Sequence, residues 1–283
     1  LITQILLLSV VAIVPFLFTK SLYFPYISGK VYVFRLLVSL AFFFWAWLFL
    51  KNKEYKPIFK NILIISLVLF FLAQVLVSFF GVDPFYSLFS SIERADGVLQ
   101  YGFWVLYFLM LISVFKKEQD WKLLFSVFII AAVFVSIYAW AHFKEQIRLS
   151  AIFGNSSYLA VFLLFAIGFC AIVIERRFFK NYFLNILTIL AAGFFVITLI
   201  FTQTRGAYAG LAGGIFLFCF LSALSPTLRI LRNLLRVGKT PCLSSGRVEY
   251  PVANKVGDKK LALYCGVILF LGLISVIALF SAR

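Results

Sequence analysis

The sequence predicts an all-α fold, a polytopic bundle of transmembrane helices, and three observations predict it. Of the 283 residues, 64% are hydrophobic and 13% are charged, whereas a globular domain is nearer 45–50% apolar and about 25% charged. Mean hydropathy is +1.08. The apolar residues also gather into runs of about 20, the length that crosses about 30 Å of hydrocarbon at about 1.5 Å per residue. Water is a poor solvent for such a surface, and a bilayer is a good one.

The runs lie at roughly 2–19, 31–50, 61–80, 98–115, 123–141, 157–174, 184–201, 207–224 and 261–280, so about nine crossings are expected. Helices are the state that satisfies every backbone group within the segment. The first run is longer than a signal-peptide core, has no basic residues before it and lacks a small-x-small cleavage site. It reads as a membrane helix. The whole chain reads as one transmembrane domain, with a basic loop at 225–260 that carries Pro226, Pro241 and Pro251.

Charge gives the orientation. The formal net charge of +16 would suggest nucleic acid in a soluble protein. Here the cations sit in short loops, where topology and lipid headgroups account for them. One set of loops holds Lys51, Lys53, Lys56 and Lys60, then Lys116, Lys117 and Lys122, then Arg176, Arg177 and Lys180, then the basic stretch 229–260. The alternate set is sparse, with Lys20, Lys30, Arg94, Lys144, Arg148, Arg205 and Arg283. Positive loops stay inside, so the N-terminus is expected in the cytoplasm. Trp45, Trp47, Trp121 and Trp140 fall near the predicted interfaces, where amphipathic rings settle.

Several chemistries are absent from the pattern. Cys170, Cys219, Cys242 and Cys265 form no CxxC pair, so neither a zinc site nor a disulfide framework is indicated. There is no Walker A sequence, no strand-bound GxGxxG and no DxD, and His142 is the single histidine. The runs hold almost no carboxylates, which proton- and ion-coupled carriers place at mid-membrane.

The sparse outer loops concentrate their polar residues in three places. In 81–97, Asp83-Pro84 favours a turn. Phe85, Leu88, Phe89 and Ile92 follow at helical spacing. A short amphipathic helix at the outer interface would deliver Glu93, Arg94 and Asp96 there; a re-entry loop with a local ion pair is the simpler reading. In 142–157, Gly154 permits a sharp turn and Asn155 or Ser156 would cap the next helix. Capping alone explains those residues, yet Arg148 could reach an anion held at that helix start.

The third place is Thr202-Gln203-Thr204-Arg205-Gly206-Ala207, which joins two runs almost without a loop. A charge at the bilayer centre costs at least about 2.5–3.5 kcal/mol, so Arg205 belongs at the outer interface or in a wet cavity. Gly206, Gly210 and Gly214 then offer a small-residue stripe for close helix approach. A snorkelling anchor and a fixed functional arginine are both readings of Arg205. Arg205, Arg148 and Arg94 share one membrane face, with Arg35 near it. Guanidinium forks hold phosphate oxygens bidentately at any working pH, which suits a diphosphate at a lipid headgroup. His142 could act as a base, but at a helix end an interfacial polar role is the ordinary one.

Glu93-Arg94-Ala95-Asp96-Gly97, Phe153-Gly154-Asn155 and Thr204-Arg205-Gly206-Ala207 occur in an order and spacing that resembles the O-antigen ligase and O-antigen polymerase superfamily, and the stretch 24–38 is similar to the opening of some members. The resemblance implies a glycosyltransferase of cell-envelope polysaccharide biosynthesis in the bacterial inner (cytoplasmic) membrane. It would move a glycan from undecaprenyl diphosphate to a glycan, lipid or protein acceptor at the outer face. It would use no metal or nucleotide cofactor, and its partners would be the lipid-linked oligosaccharide donor, the acceptor and membrane lipids, not nucleic acid. It implies Arg205, Arg148 and Arg94 as diphosphate ligands, with Gly206, Gly154 and Asn155 as structural support.

The chain opens on Leu1 and closes on Arg283 just after an apolar run, so a fragment is expected. The family's large outer loop, with its arginine and histidine, would follow the helix ending near Phe280, and His142 does not match that histidine. The expectation is a chain with part of the donor site, without the catalytic base, and inactive alone. A lipid-linked glycan flippase or other transporter is the alternative, and a scaffold without chemistry a third reading. A carrier needs a cavity open alternately to both sides, which arginines on one face do not favour.

Overall fold

The computed structural model describes residues 1–220 apart from 53–54, 56–60, 92–93, 144–147 and 218. The chain divides into two compact units, Leu1–Thr202 and Gln203–Arg283. The first is all helix in its regular elements: α1 (Ile2–Ile13), α2 (Ser28–Lys51), α3 (Ile62–Phe79), α4 (Pro84–Phe89), α5 (Val98–Val114), α6 (Glu118–Ala141), α7 (Ser156–Glu175) and α8 (Tyr182–Phe201). Two 3-10 turns, Val14–Phe16 and Ala151–Phe153, complete it. In the second unit a helix, α9, covers 205–217. No strand occurs among the described residues. The basic loop 225–260 and the run 261–280 lie outside them.

The chain is an all-α, multi-pass membrane protein. α2, α3, α6, α7 and α8 are long and apolar enough to cross a membrane. The apolar helices over Ile2–Phe16 and Val98–Val114 are shorter. The first run stops short of the expected residue 19 because Pro15 lies in it. Proline lacks an N–H and its ring clashes with the carbonyl four residues back, so α1 tightens into the 3-10 turn and the chain leaves it extended at Leu17.

Helix starts follow from side chains. Asn61, Asn155 and Asn181 accept from the N–H of Leu63, Ser157 and Phe183 at 3.0, 2.8 and 3.0 Å. Each satisfies a donor that the first turn leaves orphaned. Asp120 reaches back to the Lys117 N–H at 3.1 Å and secures the start of α6.

One apolar core joins α1, α2 and α5 through Leu7, Val38, Ala41, Met110 and their neighbours. A second runs between α6, α7 and α8, where Ala132, Val135, Leu159, Ala160, Leu163, Ala166 and Phe195 have no exposed surface. Alanines at such seams let helices approach closely, the packing that replaces hydrophobic drive in lipid. Trp45 donates to Ser113 Oγ at 2.7 Å, Tyr107 to the Leu7 carbonyl at 3.0 Å and Trp140 to Thr198 Oγ1 at 3.1 Å. Large apolar side chains instead face outward, Phe43 at 70% and Leu76 at 60% exposure.

Because α5 and α6, and α7 and α8, are joined by short connections, consecutive membrane helices alternate in direction. The described residues of segments 17–27, 80–97 and 142–155 therefore gather at one end of the first unit. The connections at 115–117 and 176–181 gather at the other.

Candidate functional site

The segments at the first of these ends enclose a cleft of about 280 Å³. Phe24, Pro25, Tyr26 and Ile27 form one wall, Phe153, Gly154, Asn155 and Tyr158 another, and Arg94 the rim. Three stretches far apart in sequence thus meet, and the site unites three of the sequence-predicted residues: Arg94, Gly154 and Asn155.

Gly154 has φ +68 and lies against Tyr26. A Cβ there would come within 2.6 Å of the Tyr26 ring carbon Cγ. The left-handed turn and the aromatic wall both require glycine, the first by backbone sterics and the second by space. The turn aims Asn155, the N-cap, so that α7 starts at the cleft. The amides at that start carry partial positive charge.

Arg94 sits on a short, irregular loop. The expected amphipathic helix forms as α4 but ends at Phe89, because Ser90 takes φ +59; Ile92 and Glu93 lie outside the described residues. Phe85 and Tyr86 of α4 are 72% and 58% exposed. Arg94 Nε lies 3.4 Å from Asp96, with both side chains about half exposed. Asp96 also accepts from Ser90 Oγ at 2.7 Å. Gly97 then lets the chain pass the end of α4, since a Cβ would meet the Leu88 carbonyl oxygen at 2.5 Å.

Two cations on α2 support these walls: Lys30, which sequence reasoning left without a role, and Arg35, which it placed only near the outer arginines. Lys30 Nζ donates to the Ile152 carbonyl at 2.7 Å and lies 4.4 Å from the Phe153 ring centre. Arg35 donates from Nη2 to the Ala95 carbonyl at 2.6 Å and from Nε to Gln100 Oε1 at 2.9 Å. Its guanidinium lies over Phe103 at 5.6 Å. Arg35, expected near the outer arginines, turns two of its donors to the protein. The sequence signal for Lys30 was its place beside Gly29, after the aromatic stretch that lines the cleft.

Arg148 does not line the cleft. Its Nε donates to the Thr202 carbonyl at 3.2 Å, and the Leu149 N–H bonds to the Phe201 carbonyl at 3.3 Å. It thus secures the C-terminal end of α8, where a cation suits the helix dipole. His142 sits at the end of α6, its Nδ1 3.0 Å from the Tyr138 carbonyl and its ring stacked on Tyr138 at 4.0 Å. Arg205 and Gly206 belong to the second unit and open α9. The Ala207 N–H bonds to the Thr204 carbonyl at 3.0 Å, after Gln203 with φ +50. No residue described in that unit approaches a Cβ built at Gly206, Gly213 or Gly214 within 4 Å.

The chain matches no family model, no curated protein and no solved structure. A functional reading therefore stands on the geometry of the cleft and on the residues that build it.

Proposed function

We propose that this protein is a membrane glycosyltransferase whose cleft seats the diphosphate of a lipid-linked glycan donor, undecaprenyl diphosphate in the O-antigen ligase and polymerase manner. The observation that carries the reading is the meeting of Arg94 with the start of α7 in one aromatic-walled cleft at the end of a membrane bundle. A guanidinium and a helix start both favour an anion. Tyr26, Phe153 and Tyr158 offer faces for the apolar and sugar parts beside it, the usual make-up of a small-molecule site. The positive-inside asymmetry of the loops supports an outward-facing cleft, and a lipid-linked glycan donor fits the outer face of a bacterial inner membrane.

The chemistry asks little of the protein at the leaving group. An acceptor hydroxyl attacks the anomeric carbon, the bond from that carbon to the diphosphate oxygen breaks, and the electron pair leaves on the diphosphate. Arg94 stabilises that developing charge, and a base takes the hydroxyl proton. No metal or nucleotide cofactor is required. The acceptor is a glycan, lipid or protein.

The test is binding of undecaprenyl diphosphate to the protein in nanodiscs, wild type beside Arg94→Ala. Binding that weakens about tenfold or more in a folded variant supports the donor site. Equal binding by both makes Arg94 an interfacial anchor. Glycan transfer, measured alongside, separates a transferase from a flippase, which would move the donor and leave it intact.

A further inference from the structure

We infer that Lys30 and Arg35 are positioning residues of the cleft, two pins on α2 that hold its separate walls in register. Five positions apart, they point about 140° from one another around the helix. Each therefore reaches a different loop. Lys30 takes the Ile152 carbonyl, 122 residues away, and Arg35 takes the Ala95 carbonyl, 60 residues away.

Both targets are main-chain carbonyls beside strained backbone. Ala151, just before Ile152, has φ +50, and Ala95 has φ +51. Left-handed alanines persist only where the surroundings over-determine them. A charged donor on the neighbouring carbonyl is such a determinant, being among the stronger hydrogen bonds available. Ala151 precedes the turn that aims Asn155, and Ala95 follows Arg94. Each pin thus fixes one functional element of the cleft.

A snorkelling lysine or arginine would send its head to lipid phosphate. These two turn inward, although Lys30, in the first turn of α2, opposes the helix dipole. Among the described residues the one ion pair is that of Arg94 with Asp96, so neither pin is held by a described carboxylate. Lys30 also lies directly against Phe153, a wall of the cleft, and adds positive potential behind it.

The inference rests on the donor reading only for what the cleft binds, and the experiment separates the two. Backbone hydrogen exchange would be followed in nanodiscs without ligand, and undecaprenyl diphosphate binding measured on the same samples. For Lys30→Met, exchange at the Phe153 and Ser157 amides should rise about tenfold or more, with little change in other helices. Binding should weaken about tenfold. Lys30→Arg, which keeps a charged donor, should restore both. Unchanged exchange in Lys30→Met, or a rise spread evenly over all helices, overturns the positioning role. If Lys30→Met does not fold, Arg35→Lys loses one limb of its fork and should raise exchange at 94–97; exchange there at the wild-type rate overturns the inference. Equal binding by wild type and Arg94→Ala, with the local exchange change present, removes the donor and leaves the pins standing.

Discussion

Arg35 on α2 donates to the carbonyl of Ala95 at 2.6 Å, in the residue that directly follows Arg94. One arginine thereby sets the backbone that carries the other. The same guanidinium satisfies Gln100, which is only 3% exposed. Replacing Arg35 with Met leaves both oxygens without this donor. Thermal unfolding in detergent should show a loss of about 1–3 kcal/mol for each acceptor left unsatisfied.

Arg94 should behave in the opposite way. Its ion pair with Asp96 is half exposed, and such pairs contribute about 0–1 kcal/mol. Arg94→Ala should leave the melting temperature nearly unchanged while donor binding falls. Asp96→Asn removes the anion that competes for Arg94. Binding should tighten by up to about fivefold, the value of one exposed pair. Raising salt to about 1 M, where the Debye length is about 3 Å, should shrink that gain.

Asn155 separates capping from site chemistry. Asn155→Ala loses the bond to the Ser157 N–H and should cost about 1 kcal/mol of stability. Asn155→Asp keeps a good cap but puts a negative charge in the cleft. Its stability should match wild type while undecaprenyl diphosphate binding drops. A variant that binds as tightly as wild type would make Asn155 a cap and nothing more.

Gly154→Ala meets two obstacles, a left-handed backbone and the Tyr26 ring. Adding Tyr26→Ala removes the second and leaves the first. Gly154→Ala should therefore cost more stability in the wild-type background than in the Tyr26→Ala background. The left-handed remainder should be about 1–2 kcal/mol.

Arg148→Ala tests a role that the structure places away from the cleft. Loss of its bond to the Thr202 carbonyl should cost about 0.3–1 kcal/mol at the end of α8. Donor affinity should hold, and a fall comparable to that of Arg94→Ala would return Arg148 to the donor site.

The helices were legible because lipid imposes one rule on every spanning segment, and the runs at 61–80, 98–115, 157–174 and 184–201 end within two residues of α3, α5, α7 and α8. Asn155 was legible as one of two candidate caps, because capping is a contact within one turn, and the structure makes it the cap. Pro15 was visible in the first run, but hydropathy outweighed it there. The pins were not legible. Lys30 and Arg35 act on carbonyls 122 and 60 residues away, and backbone acceptors leave no mark in a sequence. Tyr26 against Gly154 is hidden likewise, since local spacing says nothing of a partner 128 positions upstream. Arg148 carried the right residue type for an anion, and only the fold shows its donor on the end of α8.

α3 has the least buried surface of the five long helices, 11% of its apolar window. Positions such as Leu69 and Leu76, each 60% exposed, face a solvent that accepts any bulky apolar side chain. Drift along that helix should be nearly silent, with Leu, Ile, Val and Phe exchanging freely. In the wall of the cleft, a single atom added to Gly154 is felt at once. The molecule thus divides into a tolerant shaft and an intolerant mouth, and a randomised library would trace the boundary between them.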